Sequence, residues 1–280
     1  MKRIMTDLWW LLVYAFVGIL VVMGISLGLM TLGDLTLSLH LVQWTQTLLL
    51  MIVPAVLWVK LHKRERVAEV MRMQWPGWRP MVWTLVLMTV SLPMVSWLED
   101  VGTMACERLL PDAVNEWARQ MLDEQEATIG VLLAMDGFWG WLELIMLMCI
   151  GTAIGEEMMF RGAVLRCFLP TGGEEGKPVT KGRWIGAAVW VGLIFSVCHG
   201  DLYGLIPRWV LGSAFVWLVY QTRSIWPGVL AHALNKTCAL IEMKEEPAWL
   251  ESFDRVWAVL VSVVLTALIV SAWRRQKPTR

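Results

Sequence analysis

Charge is scarce in this sequence. Asp, Glu, Lys and Arg make up 17% of its 280 residues, where a soluble domain carries about a quarter. Those charges are clumped, leaving apolar runs longer than a water-soluble core needs. The 24 basic and 24 acidic residues cancel, so no basic excess points to a nucleic-acid partner. Cysteine is also sparse: Cys106, Cys149, Cys167, Cys198 and Cys238 show no CxxC spacing, which argues against a disulfide framework. Four of the five lie in or beside apolar runs, where a thiol behaves as a small hydrophobe. Internal repeats, low-complexity stretches and linkers are missing, so residues 1–280 read as one domain.

Hydrophobic residues and tryptophan are plentiful, at 57% and 19 residues. Apolar runs fall at about 8–32, 41–60, 80–98, 138–169, 184–199, 203–220, 225–243 and 255–273. Each is at or near the roughly 20 residues that cross a bilayer. Trp9, Trp10, Trp58, Trp97, Trp184 and Trp273 sit at run ends, where indole rings anchor at the membrane interface. The N-terminal run is too long for a signal-peptide core and lacks a small-residue cleavage site, so it is expected to remain as the first span. The sequence thus reads as an all-α, polytopic membrane helix bundle of about eight transmembrane helices.

The connectors give orientation, because Lys and Arg collect in cytoplasmic loops. Lys60, Lys63, Arg64, Arg66, Arg72 and Arg79 fill the second, and Lys177, Lys181 and Arg183 the fourth. Arg223 marks the sixth, while Arg274, Arg275, Lys277 and Arg280 fill the tail. With Lys2 and Arg3, all fall on one side if eight helices alternate, which puts both termini in the cytoplasm. The opposite side is acidic: residues 99–136 hold nine acids, Asp136 among them, against Arg108 and Arg119. The connector at 244–254 is acidic as well. Within 99–136, Leu109, Leu110, Val114, Trp117 and Met121 recur at near-helical spacing, which predicts one or two short amphipathic surface helices acting as a connector.

Ionisable residues inside spans are costly and mark function. They concentrate at Glu156, Glu157 and Arg161 in the fourth run, at His199 ending the fifth, and at His232, Asn235 and Lys236 in the seventh. Adjacent helical residues point about 100° apart, so Glu156 and Glu157 are not expected to face one small site. Glu157 and Arg161, four apart, are expected to neutralise each other, leaving Glu156 toward a cavity. Counted from the 177–183 loop at 1.5 Å per residue, Glu156 and His199 lie about 20 and 23 Å deep, but His232 only about 10 Å from Arg223. The mismatch closes if the fourth and fifth helices project about 10 Å past the bilayer. That predicts a site in the cytoplasmic half, opening toward the cytoplasm.

A carboxylate beside an imidazole in a low-dielectric cavity can deprotonate a water, and a second His with an amide can stabilise an oxyanion. Glu156, His199 and His232 equally make a ligand set for a divalent metal such as zinc. The residues leave both forms of peptide hydrolysis open. No HExxH and no GxSxG is present.

In these three segments the sequence resembles the CAAX prenyl endopeptidase and bacteriocin-processing (Abi) family of intramembrane proteases. Its pattern is Glu-Glu-x-x-x-Arg, Phe-x-x-x-His, then His-x-x-x-Asn or Asp, on separate helices in that order. Here the first is Glu156-Glu157-x-x-x-Arg161 and the second Phe195-x-x-x-His199, both complete, in a protease-like core over 138–243. The resemblance implies that Glu156 and His199 activate water, that Glu157 and Arg161 support the site, and that His232 with a neighbouring amide stabilises the oxyanion. The third segment departs from the pattern: Asn235 is three residues after His232, and Lys236 holds the amide position. Either Asn235 or Lys236 is then the candidate donor. The implied partners are a membrane-associated peptide or protein substrate and the lipid bilayer, with no cofactor or a divalent metal. The compact chain with short loops reads as bacterial, hence an inner-membrane protein. A non-catalytic scaffold or bacteriocin-immunity-type protein that keeps the site residues is the alternative. A proton-coupled transporter is disfavoured by the lack of an inverted repeat.

Overall fold

The computed structural model describes residues 2–135, 137–169, 179–245 and 255–275. Asp136, Lys177, Lys277 and Arg280, and the acidic connector beyond Glu245, lie outside these. Every regular element among the described residues is helical. The helices are α1 (Lys2–Leu29), α2 (Leu35–Lys63), α3 (Trp78–Leu109), α4 (Asp112–Leu133), α5 (Gly137–Phe168), α6 (Lys181–Val197), α7 (Leu205–Thr222), α8 (Trp226–Glu245) and α9 (Arg255–Arg275). A single turn, Val67–Val70, interrupts the α2–α3 connector.

Five of these are long and apolar enough to cross a membrane: α2, α3, α5 and α9 along their length, and α1 from Ile4. Their outward faces carry bare Leu12, Phe16, Leu20, Val261, Val264 and Leu268. A contiguous apolar surface of this kind belongs in lipid. The chain is therefore a multi-pass membrane helix bundle. Helix α6, of 17 residues, is short for a span, whereas α7 and α8, of 18 and 20 residues, are diluted by the polar residues they carry.

Local chemistry sets the joints. Gly33 takes a left-handed φ of 77° between α1 and α2, and Asp34 caps α2 by accepting from the Leu37 N–H at 2.9 Å. Pro93 lies inside α3, where it cannot donate a backbone hydrogen bond. Ser262 of α9 inserts there, donating to the Val90 carbonyl at 2.7 Å and accepting from the Met94 N–H at 3.3 Å. A proline-weakened turn and a neighbouring helix thus satisfy each other, as a low-dielectric surround demands. Helices α6 and α7 cross closely: a Cβ on Gly212 would lie 2.9 Å from the Gly192 Cα.

Among the described residues, three of the basic side chains expected on one face, Lys63, Arg72 and Arg223, lie at one end. Lys63 pairs with Asp7 of α1 at 2.7 Å, and Arg72 and Arg223 both stack on the Trp184 ring. The connector is stitched to the α7–α8 turn by Ile225 N–H donating to Arg72 O and Trp226 Nε1–H donating to Met73 O. Trp184 packs edge-on against Tyr220, centroids 5.2 Å apart. Helix α6 therefore begins level with the end of α7, and does not project past it by the distance the depth count required.

The 99–136 segment differs from its expected form. Residues 99–109 continue α3, and a single 22-residue helix, α4, follows. Pro111 marks the break, since a helix seldom continues through the residue before a proline.

Candidate active site

Glu156 and Glu157 lie on one α-helical turn of α5, between two π-helical stretches, Ile145–Gly151 and Met158–Val164. Such wide turns are rare and recur at functional sites. Both carboxylates are buried, with Glu157 at 0% exposure. Gly155, one residue before them, lies so close to Thr47 of α2 that a Cβ would sit 3.1 Å from its methyl. That packing fixes the roll of α5 and points its acids at α6, α7 and α8.

Glu157 pairs with Arg161 at 2.8 Å, as their spacing predicts, and both side chains are fully enclosed. The guanidinium also donates to the Gly212 carbonyl at 3.1 Å and stacks on Phe195 and Phe215. Helix α8 comes close because residue 228 is glycine: a Cβ there would stand 2.5 Å from Glu157 Oε2.

The expectation that the two acids face different surroundings needs correction. His232 lies between them, with Nδ1 3.3 Å from Glu157 Oε1 and Nε2 3.4 Å from Glu156 Oε2. An imidazole has nitrogens on two sides, so one ring reaches both of two diverging carboxylates. It is held by Phe195 and Phe215, at centroid distances of 5.6 and 5.4 Å.

His199 follows the end of α6 and folds back, with Nδ1 2.7 Å from the Phe195 carbonyl. A carbonyl only accepts, so Nδ1 carries the proton of the neutral ring and Nε2 is left as an acceptor. That Nε2 lies 3.7 Å from Glu156 Oε2. The backward fold helps to bring His199 to the level of His232. Lys236 donates to Glu156 Oε1 at 2.8 Å, whereas Oε2 makes no hydrogen bond. Glu156 thus has one oxygen fixed by an ammonium and the other aimed between two imidazoles.

Six sequence-selected residues, Glu156, Glu157, Arg161, His199, His232 and Lys236, come together through contacts from three helices. Asn235 is half-buried on α8 and makes no hydrogen bond to any of them among the described residues. Two carboxylates face a guanidinium and an amine, the opposite-sign pairing that buried ionisable groups require. As a cation site it fits poorly. Glu156, His199 and His232 face one another, but the ammonium already holds one Glu156 oxygen, and among the described residues no group of three or more His, Cys, Asp or Glu is placed to hold a metal ion.

A family model described as Rce1-like, type II CAAX prenyl endopeptidase Rce1-like, matches residues 138–238. Residues 138–238 are thus similar to an Rce1-like domain. That stretch runs from the start of α5 into α8 and contains all six clustered residues, while α1 to α4 and α9 lie outside it. The match supports a protease-type enzyme at the level of the family. Searches of curated proteins and of solved structures returned no match.

Sequence reasoning missed three neighbours of the Rce1-like cluster: Gly212, Phe215 and Gly228. Only Gly228 left a usable signal, being one helical turn before His232 and so on its face. A groove beside the cluster was also missed. It holds about 430 Å³ and is bordered by Lys236, Thr152, Met148 and Gln43 on one side and by α4 on the other. It lies toward the Gly137 end of α5, away from the α7–α8 turn.

Proposed function

We propose that this chain is an intramembrane endopeptidase that hydrolyses a peptide bond of a membrane-associated protein or peptide, with Glu156 as general base. The observation that carries the reading is the free oxygen of Glu156, flanked by His232 and His199. A water between Glu156 Oε2 and His199 Nε2 would meet two acceptors and be oriented for attack.

In the first step that water loses a proton to Glu156 and its oxygen bonds to the substrate carbonyl carbon, giving a tetrahedral oxyanion. Lys236 is the donor nearest the forming charge; His232, whose Nδ1 proton faces Glu157 at 3.3 Å, joins it only as an imidazolium, through Nε2. In the second step the carbon–nitrogen bond breaks. The proton held at Glu156 passes to the leaving nitrogen, releasing a new amine and a new carboxylic acid, which gives its own proton to the amine or to water. Glu157 and Arg161 touch no reacting atom: they hold His232 in place. Lys236 on Glu156 supports a metal-free form of this chemistry, since a dication would sit beside an ammonium. We assign the protein to a bacterial inner membrane, with eight spans and both termini cytoplasmic.

The test is cleavage of a peptide library by the protein in nanodiscs, read by mass spectrometry. The wild type is expected to cut, and Glu156→Gln and His199→Ala each to lose about 10²–10⁴-fold, the usual contribution of a general base. The contact between Lys236 and Glu156 also favours a second reading, a scaffold whose site is locked by that ion pair. Under it the folded wild type cuts nothing, and both variants retain the cellular phenotype.

A further inference from the structure

Helix α4 lies outside the Rce1-like match and reads as a connector in sequence, yet its mounting is that of a wall. It is fastened at both ends. Near its start, Asn115 donates to the Leu110 carbonyl at 3.1 Å, and Arg119 pairs with Glu107 at 2.8 Å. At its end, Leu132 is buried with Leu144, Cys149 and Leu240, and Lys244 Nζ donates to the carbonyls of Leu133 and Met135. Between these anchors residues 121–130 are largely exposed, and the groove runs beneath them.

That groove reaches the cluster at Lys236. Lys236 lines it and bonds Glu156 Oε1, and Thr152 of the lining stands one helical turn before Glu156. Its volume, about 430 Å³, lies within the roughly 300–1,000 Å³ of sites that enclose small ligands. The lining is mixed. Gln43 and Gln125 offer amide donors and acceptors, Thr128 a hydroxyl that donates to the Glu124 carbonyl at 2.9 Å, and Met121, Ile129 and Met148 deformable apolar surface.

We propose that this groove is the substrate cleft: an extended peptide segment lies between α4 and helices α2, α5 and α8, with its scissile carbonyl at the Lys236 ammonium. The proposal rests on the endopeptidase reading and adds to it a binding surface and a substrate class. The class is a membrane-associated peptide with apolar side chains against Met121, Ile129 and Met148, while Glu124 and Lys236 put one charge of each sign in the lining. Specificity then comes in part from α4, which the family match does not include.

Replacing Thr128 and Gln125 singly by Trp fills the groove without touching the cluster. In nanodiscs, on peptides that the wild type cuts, each variant is expected to raise KM by about tenfold or more with kcat little changed, the signature of lost binding. The preference for residues beside the cut is expected to shift as well. Asp123→Trp, which adds the same bulk on α4 away from the groove, is expected to leave both constants unchanged. Unaltered KM in Thr128→Trp and Gln125→Trp, with an active wild type, overturns the cleft and leaves the endopeptidase reading standing. An equal loss in Asp123→Trp also overturns it, as a general effect on α4. Absence of any cleavage by the folded wild type overturns both.

Discussion

Lys236 is the residue on which the chemistry of this site turns. An amide in its place would leave two buried carboxylates facing one guanidinium; the ammonium, 2.8 Å from Glu156, restores the balance and brings a charged donor to the reacting carbon. Lys236→Met is expected to lower kcat by about 10²–10³-fold, the range seen when one oxyanion donor is lost. Lys236→Asn, which restores an amide donor, is expected to lose much less; single-turnover cleavage rates would decide. Arg161 acts differently, through stability. Its pair with Glu157 is fully enclosed, so Arg161→Met strands a buried carboxylate at a cost of about 3–5 kcal/mol. Thermal unfolding in detergent should show a marked loss, partly recovered when Glu157→Gln is added. The Glu157–Arg161 pair could be read from spacing alone, because i,i+4 contacts are local. The bridge through His232 could not: a helical wheel treats side chains as directions, and a ring from another helix enters between two directions.

Among the elements, the helices themselves were the most legible feature. Long apolar runs at 138–169 and 203–220 became α5 and α7 within a few residues, because hydropathy reports burial in lipid directly. The π-helical stretches around Glu156 were not legible, since a wide turn has no residue signature of its own. Nor was the continuation of α3 to Leu109, where the apolar pattern stops before the helix does. The α6–α7 crossing supplies a test at this scale. Gly192 and Gly212 let the two backbones meet, and α6 leads into His199. Gly212→Leu forces them apart and is expected to destabilise the bundle by about 1–3 kcal/mol or more, as overpacking does. Cleavage should fall along with the thermal midpoint. An unchanged midpoint would mean that the crossing is not as tight as the 2.9 Å approach implies.

Across the whole molecule, one end of the bundle is basic and stapled by Arg72, Trp184 and Arg223, and the groove lies toward the other end. The basic end was legible, because charge in connectors tracks topology without knowledge of packing. The side on which the groove lies was not. Counting residues along helices assumes parallel axes and side chains at right angles to them, and His199 folds back against that assumption. The eight-span reading makes a simple demand: single cysteines at Lys60 and Arg275 should react with a membrane-impermeant thiol reagent only after the cytoplasmic face is opened. A cysteine at Asp112 should react in intact cells. Labelling of Asp112→Cys only from the cytoplasmic side would reverse the orientation.

The central claim, that Glu156 is the base of a membrane endopeptidase, is met most directly by one comparison. The cleavage rates of a single peptide by wild type and Glu156→Gln would be measured in the same nanodiscs, with matched thermal midpoints showing that both are folded. The account expects a loss of about 10²-fold or more on removing this one charge. Equal rates would contradict it, and the cluster around Glu156 would then have to be explained as structure alone.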